Sequence, residues 1–200
     1  QVDPNTVYTE GITKITSEDV DYAENCDSVI KLIGRAKRLK SKKISAMVSP
    51  CFISKSSQLA NVKDVFNAIL VRGNAIGDVI FYGQGAGKLP TASAVVADVI
   101  DCAKHLERHK LFGWGKELTD YIVPHTDINS KLYVRANSKD VDINNKLKSI
   151  FGDLQFLSRK NQPTYEIAFI TPVDTEKCLI DKLSSIKELE ILNTIRVLEF

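Results

Sequence analysis

Phe81-Tyr82-Gly83-Gln84-Gly85-Ala86-Gly87-Lys88-Leu89-Pro90-Thr91-Ala92-Ser93-Ala94-Val95-Val96-Ala97-Asp98 reads in three parts: the end of a β-rich run, a stretch with three glycines, and the opening of a helix. Apolar Ala94, Val95, Ala97, Val99, Ile100, Ala103 and Leu106 predict a helix over residues 90–108. Pro90 is accepted in its first turn, where a missing N–H is no loss. Glycines let backbone approach a ligand closely, and a helix N-terminus offers free N–H groups to an anion. The spacing matches neither the GxGxxG dinucleotide fingerprint nor the GxxxxGK phosphate loop. On residue chemistry alone, the run is either a tight structural turn or a loop that approaches an anion.

Just upstream, residues 65–71 and 78–82 are β-rich and are joined by Arg72-Gly73-Asn74, with Gly77 beyond. Glycine and asparagine tolerate the positive φ of tight turns, so the two runs pair as an antiparallel hairpin. Further upstream, residues 7–12 read as a short strand. A helix over 17–25 is capped by Thr16, with Asp19 in its first turn, where the helix dipole favours an anion. Ile15 and Val20 fit a hydrophobic staple around that cap. Strands over 28–39 and 44–53 follow, and a largely antiparallel sheet is the economical arrangement.

Downstream, periodicity breaks down over residues 109–129, where Gly113, Trp114, Gly115 and Pro124 lie among polar residues, and this is the expected linker. Strand patterns then cover 131–136, 155–158, 165–170 and 191–198, with helical patterns over 143–151 and 176–186. The order β-α-β-β-α-β predicts a ferredoxin-like unit, two helices on one face of a four-stranded antiparallel sheet. The expected fold class is α+β, mostly antiparallel. The expected division is residues 1–108, a linker over 109–129, and a small domain over 130–200.

Composition limits the functions available. With 44% hydrophobic and 26% charged residues, the 200-residue chain can bury a proper core. The basic cluster Arg35, Lys37, Arg38, Lys40, Lys42 and Lys43 lacks interleaved aromatics, so it reads as a solvated strand end, and no nucleic acid partner is expected. No stretch approaches the roughly 18 apolar residues that span a membrane, so a cytoplasmic protein is expected. Cys26, Cys51, Cys102 and Cys178 are scattered, without a CxxC pair, and read as small core residues in a reducing compartment. His105, His109 and His125 have no ligand-like spacing to cysteines or carboxylates. They read as solvated helix or loop residues, and no metal is expected. Glu10, beside Gly11 in a β-rich segment, reads as a partly exposed strand acid or as a carboxylate near a cleft. No nucleophile motif is present.

Tyr8-Thr9-Glu10-Gly11-Ile12, Ile30-Lys31-Leu32-Ile33-Gly34 and Asn67-Ala68-Ile69, followed by the long run from Phe81 to Asp98, resemble in order the later part of the homoserine dehydrogenase catalytic domain. The resemblance covers about residues 5–105. It implies an NAD- or NADP-dependent interconversion of L-aspartate 4-semialdehyde and L-homoserine, on the path to threonine, isoleucine and methionine. It also implies a homodimer built on these strands. The family's proton-handling lysine, its substrate-gripping acids and its Rossmann domain lie upstream of the Tyr-x-Glu-Gly-Ile segment, so no catalytic residue is expected in this chain, and the chain alone is expected to be inactive. By matched position, Gly85, Ala86, Gly87 and Thr91 fall where the family's glycine loop approaches the dinucleotide.

The β-α-β-β-α-β unit resembles an ACT domain, an amino-acid-sensing module, at Ser158-Arg159-Lys160-Asn161-Gln162 and at Asn193-Thr194-Ile195-Arg196-Val197. That implies an amino-acid effector such as threonine. The turn Asn137-Ser138-Lys139-Asp140-Val141-Asp142 departs from the pattern, lacking the proline-glycine pair whose backbone amides would meet an effector carboxylate. A second reading of different class therefore stands beside the enzyme: a non-catalytic amino-acid-binding or oligomerisation module.

Overall fold

The computed structural model describes residues 2–108, 113, 115, 116 and 118–199. His109 and Trp114 lie outside the described residues. Two compact units form: residues 1–56 together with 116–200, and residues 57–115. The units thus do not follow the boundaries read from the sequence, since the first segment joins the last across the middle of the chain.

The first unit begins with β1 (Tyr8–Thr9), α1 (Ser17–Asn25), β2 (Ser28–Arg38) and β3 (Ile44–Ser54). β2 and β3 form a regular antiparallel hairpin, from Ser28 opposite Ser54 to Arg38 opposite Ile44. The basic cluster lies at the turn end of this hairpin, where Lys37, Arg38, Lys40, Lys42 and Lys43 are all exposed, as expected. The buried face of α1 is Asp19, Tyr22 and Ala23, at i, i+3 and i+4. Val20 stays 42% exposed, so the staple expected around it does not form on the core side.

The second unit holds β4 (Phe66–Gly73), β5 (Gly77–Gln84) and α2 (Lys88–Lys104). The hairpin is antiparallel as expected, in register from Phe66 opposite Gln84 to Gly73 opposite Gly77, and Gly77 takes a φ of +68°. It is a separate two-stranded sheet and does not extend β2 and β3. No residue of α2 is buried. Cys102 is consequently exposed, and only Cys51 of the four cysteines is a buried core residue.

The first unit resumes with β6 (Asn129–Asn137), α3 (Ile143–Phe151), β7 (Gln155–Leu157), β8 (Glu166–Ile170), a two-residue β9 (Asp174–Thr175), α4 (Glu176–Ser184) and β10 (Glu190–Leu198). The strand order β10-β6-β8-β7 is antiparallel throughout, the ferredoxin-like arrangement expected from the element order. Along β6 the side chains alternate between two cores. Leu132 and Val134 join Leu147, Phe151, Leu179 and Leu183 under α3 and α4, while Tyr133 joins Tyr22, Ala23 and Phe52 on the α1 face.

Two expectations are corrected here. The large sheet is mixed, because β3 pairs in parallel with β10, Cys51 opposite Arg196 through Ile53 opposite Leu198, and β1 also lies parallel to β3. Cys51, Phe52 and Ile53 are almost wholly buried, and such a continuously apolar run suits a strand covered on both faces. The stretch expected to be a linker is also partly structural. The Ile44 amide donates to the Tyr121 carbonyl and the Val123 amide to the Ile44 carbonyl, each at 2.9 Å, and a 3-10 turn at His125–Asp127 follows. Backbone pairing of this kind leaves no periodic side-chain pattern, which is why the composition reads as linker.

Candidate functional sites

The glycine run links the end of β5 to α2. Gly87 is the N-cap of α2 at φ +125° and ψ 153°, a conformation that L side chains rarely adopt. Its carbonyl accepts from the Thr91 amide at 3.1 Å, so Thr91 closes the first turn. Gly85 is glycine for a different reason: a Cβ there would lie 2.9 Å from the Asn67 carboxamide carbon, with the amide nitrogen nearer still. Gly85, Ala86, Gly87 and Thr91 are all exposed. The first-turn amides of Lys88 and Leu89 have no acceptor within the helix. Bare glycine backbone and open amides fit a dinucleotide phosphate.

Two buried ion clusters hold the segments of the first unit together. Asp19 is fully buried, and its carboxylate accepts from the Tyr133 hydroxyl at 3.1 Å, Arg135 Nε at 2.8 Å, Asn193 Nδ2 at 2.7 Å and the Thr16 amide at 3.0 Å. The Thr16 hydroxyl donates to the same carboxylate at 3.3 Å. Arg135 also reaches Glu166 at 3.3 Å, and Glu166 accepts from Tyr22 at 3.0 Å and from Arg159 at 2.9 Å. Burial, and the carboxylate beside each, push the hydroxyls of Tyr22 and Tyr133 far above the ordinary tyrosine range, so both remain donors.

In the second cluster Arg196 donates to Glu176 through two nitrogens, at 2.9 and 2.6 Å, and to Glu10 at 2.9 Å. The Arg196 guanidinium lies 4.7 Å from the Tyr8 ring centroid. His125 stacks on the same ring at 3.7 Å, with Nε2 3.8 Å from Glu176. His125 is therefore not a solvated loop residue, and burial holds its pKa below the ordinary value of 6.5. Glu10, left open by the sequence, serves as an ion-pair partner. His105 is half-buried, with Nδ1 3.0 Å from Asp101. No group of three or more metal-ligating side chains occurs among the described residues. The signal that the sequence carries for these clusters is an arginine among the apolar residues of each of two strands, β6 and β10.

A cavity of about 520 Å³ opens where β6, β8 and β10 meet the turn after β6, lined by Asn137, Lys139, Asp140, Tyr165, Lys187 and Glu190 among others. Asn137 donates to Glu190 at 3.2 Å, but its buried Oδ1 has no hydrogen-bond partner. No helix among the described residues is long and apolar enough to cross a membrane.

Comparison with known proteins gives these sites a setting. The family model for homoserine dehydrogenase matches residues 1–100. The homoserine dehydrogenase of Neisseria gonorrhoeae is 36% identical over 92% of this chain and 45% of its own length. That of Bacillus subtilis is 31% identical over 98% of the chain and 47% of its own length. The crystal structure of a homoserine dehydrogenase from Thiobacillus denitrificans superposes with a TM-score of 0.81 at 31% identity, over 98% of this chain and 48% of that one. Structures of the Staphylococcus aureus homoserine dehydrogenase reach a TM-score of 0.73. These relatives are homoserine dehydrogenases, which are oxidoreductases. The chain belongs to the homoserine dehydrogenase family, and it spans about half the length of the relatives it matches.

Proposed function

We propose that the chain is the substrate-domain and regulatory part of a cytoplasmic NAD(P)-dependent homoserine dehydrogenase that interconverts L-aspartate 4-semialdehyde and L-homoserine in threonine, isoleucine and methionine biosynthesis. The observation that carries this is the glycine loop, where Gly87 holds a conformation that L side chains rarely adopt and a Cβ at Gly85 would displace the Asn67 side chain. When bound, the nicotinamide supplies the hydride chemistry. This chain's Gly85, Ala86 and Gly87 hold the dinucleotide by close backbone approach, and Thr91 fixes the helix turn whose first amides face it. The exposed apolar face of the hairpin, with Ile69 64%, Phe81 62% and Val71 42% exposed, supports a homodimer.

The ferredoxin-like part, over about residues 130–200, is read as an ACT-type domain. Its cavity at the turn after β6, with charges of both signs and an unpartnered buried acceptor on Asn137, suits a zwitterionic amino-acid effector such as threonine. That same cavity is what favours the second reading, a module that binds an amino acid without catalysis.

The test compares these 200 residues with the full-length product of their gene for homoserine-dependent reduction of NADP and of NAD, followed by absorbance. Activity in the full-length product alone is expected. Silence in both would overturn the enzyme reading and leave the binding module.

A further inference from the structure

The three glycines of the run are glycine for different reasons. An added Cβ at Gly83 would meet nothing within 4 Å, and Gly87 requires its positive φ. Only at Gly85 does a side chain from the facing strand take the space: Asn67, which stands opposite Gly83 in the hairpin register and leans toward Gly85, one residue past the end of β5. Among the described residues, one long hydrogen bond is all that local structure gives Asn67. It is exposed on β4, asparagine is disfavoured in strands, and its amide otherwise reaches only the Val65 carbonyl at a long 3.5 Å.

We propose that Asn67 is a positioning residue for the dinucleotide, filling the space beside Gly85 so that residues 83–87 keep the conformation that receives the phosphates. The proposal rests on the reading of this loop as the dinucleotide site. Truncating Asn67 opens a gap against Gly85 and lets the backbone sag into it, so the loop must be ordered again on binding, which weakens affinity without weakening the fold. An aspartate of the same shape keeps the gap filled but sets a negative charge beside the loop, and its effect is the larger one if phosphates approach there.

In the full-length product, Asn67→Ala is expected to raise both the calorimetric Kd for NADPH and its KM about tenfold. The homoserine KM and the unfolding midpoint stay unchanged. Asn67→Asp is expected to raise them further, by an amount that shrinks with added salt. Gly87→Ala, strained at the positive φ, is the companion variant. Weakened NADPH binding in Gly87→Ala, with both Asn67 variants like the parent, would overturn the positioning role and leave the loop reading standing. Unchanged binding in all three would overturn both. A midpoint falling in step with affinity in Asn67→Ala would assign Asn67 to the fold and overturn the proposal.

Discussion

Residues 1–56 with 116–200 bury charge, whereas residues 57–115 expose apolar surface. Asp19 sits on the core face of α1 with no exposure at all, and Arg135 and Arg196 are buried within strands. In the other unit α2 has no buried residue, with Leu89 78%, Val99 62% and Val95 56% exposed. A buried carboxylate persists only where every lone pair has a donor, so the Asp19 cluster selects one arrangement of α1, β6 and β10. Contiguous exposed apolar surface has the opposite meaning, since it leaves the unit's packing open to a partner.

That contrast breaks most visibly at Asp19. Asp19→Ala removes the acceptor for Arg135, Tyr133 and Asn193 and leaves the buried Arg135 guanidinium with Glu166 as its one carboxylate partner, so a loss of about 3 kcal/mol in urea unfolding is expected. Recovery of most of that loss by Asp19→Leu combined with Arg135→Met would assign the cost to the unpaired charge. A loss below about 1 kcal/mol for Asp19→Ala would mean that water reaches the cluster.

A smaller effect is expected at His125. Its folded pKa lies below the ordinary 6.5, so the folded state binds this proton less readily than the unfolded chain. Its contribution is fully present above pH 6.5 and is lost as pH falls through that value toward the folded pKa. The unfolding midpoint of the parent should therefore drop more between pH 7.5 and 5.5 than that of His125→Gln. Parallel pH profiles would show that the Tyr8 stack is open to solvent.

The smallest effect belongs to the second unit. Val99→Ser in the 200-residue chain should change stability by no more than about 0.5 kcal/mol, measured by thermal unfolding, because the side chain is already in water. A large loss there would mean that α2 is covered by a second copy in solution, and a concentration-dependent midpoint would reveal it.

Much of this structure was legible in residue patterns. The helix over 143–151 is predicted to the residue, since its apolar positions repeat at helical spacing and Gly152 follows at φ +79°. The β4–β5 hairpin is readable for a similar reason, because Gly73 and Gly77 bound a turn whose backbone demands are local. Gly87 was legible as special, and its conformation explains why. The role of Asn67 is not legible in the sequence, because the space it fills beside Gly85 is created by strand register. Asp19 is legible as a first-turn acid and no further, since its partners other than Thr16 lie 114 to 174 residues away.

By itself, then, the sequence determined the kinds and order of the elements, the ferredoxin-like order of the last seventy residues, and the glycine loop, all of which rest on short-range periodicity and backbone preference. Only the tertiary structure decided that β3 lies parallel to β10 in one mixed sheet, and that Arg135 and Arg196 find buried carboxylates. The physical reason is that parallel pairing and ion-pair choice depend on which surfaces meet across the fold, and no local pattern encodes a partner more than a hundred residues away.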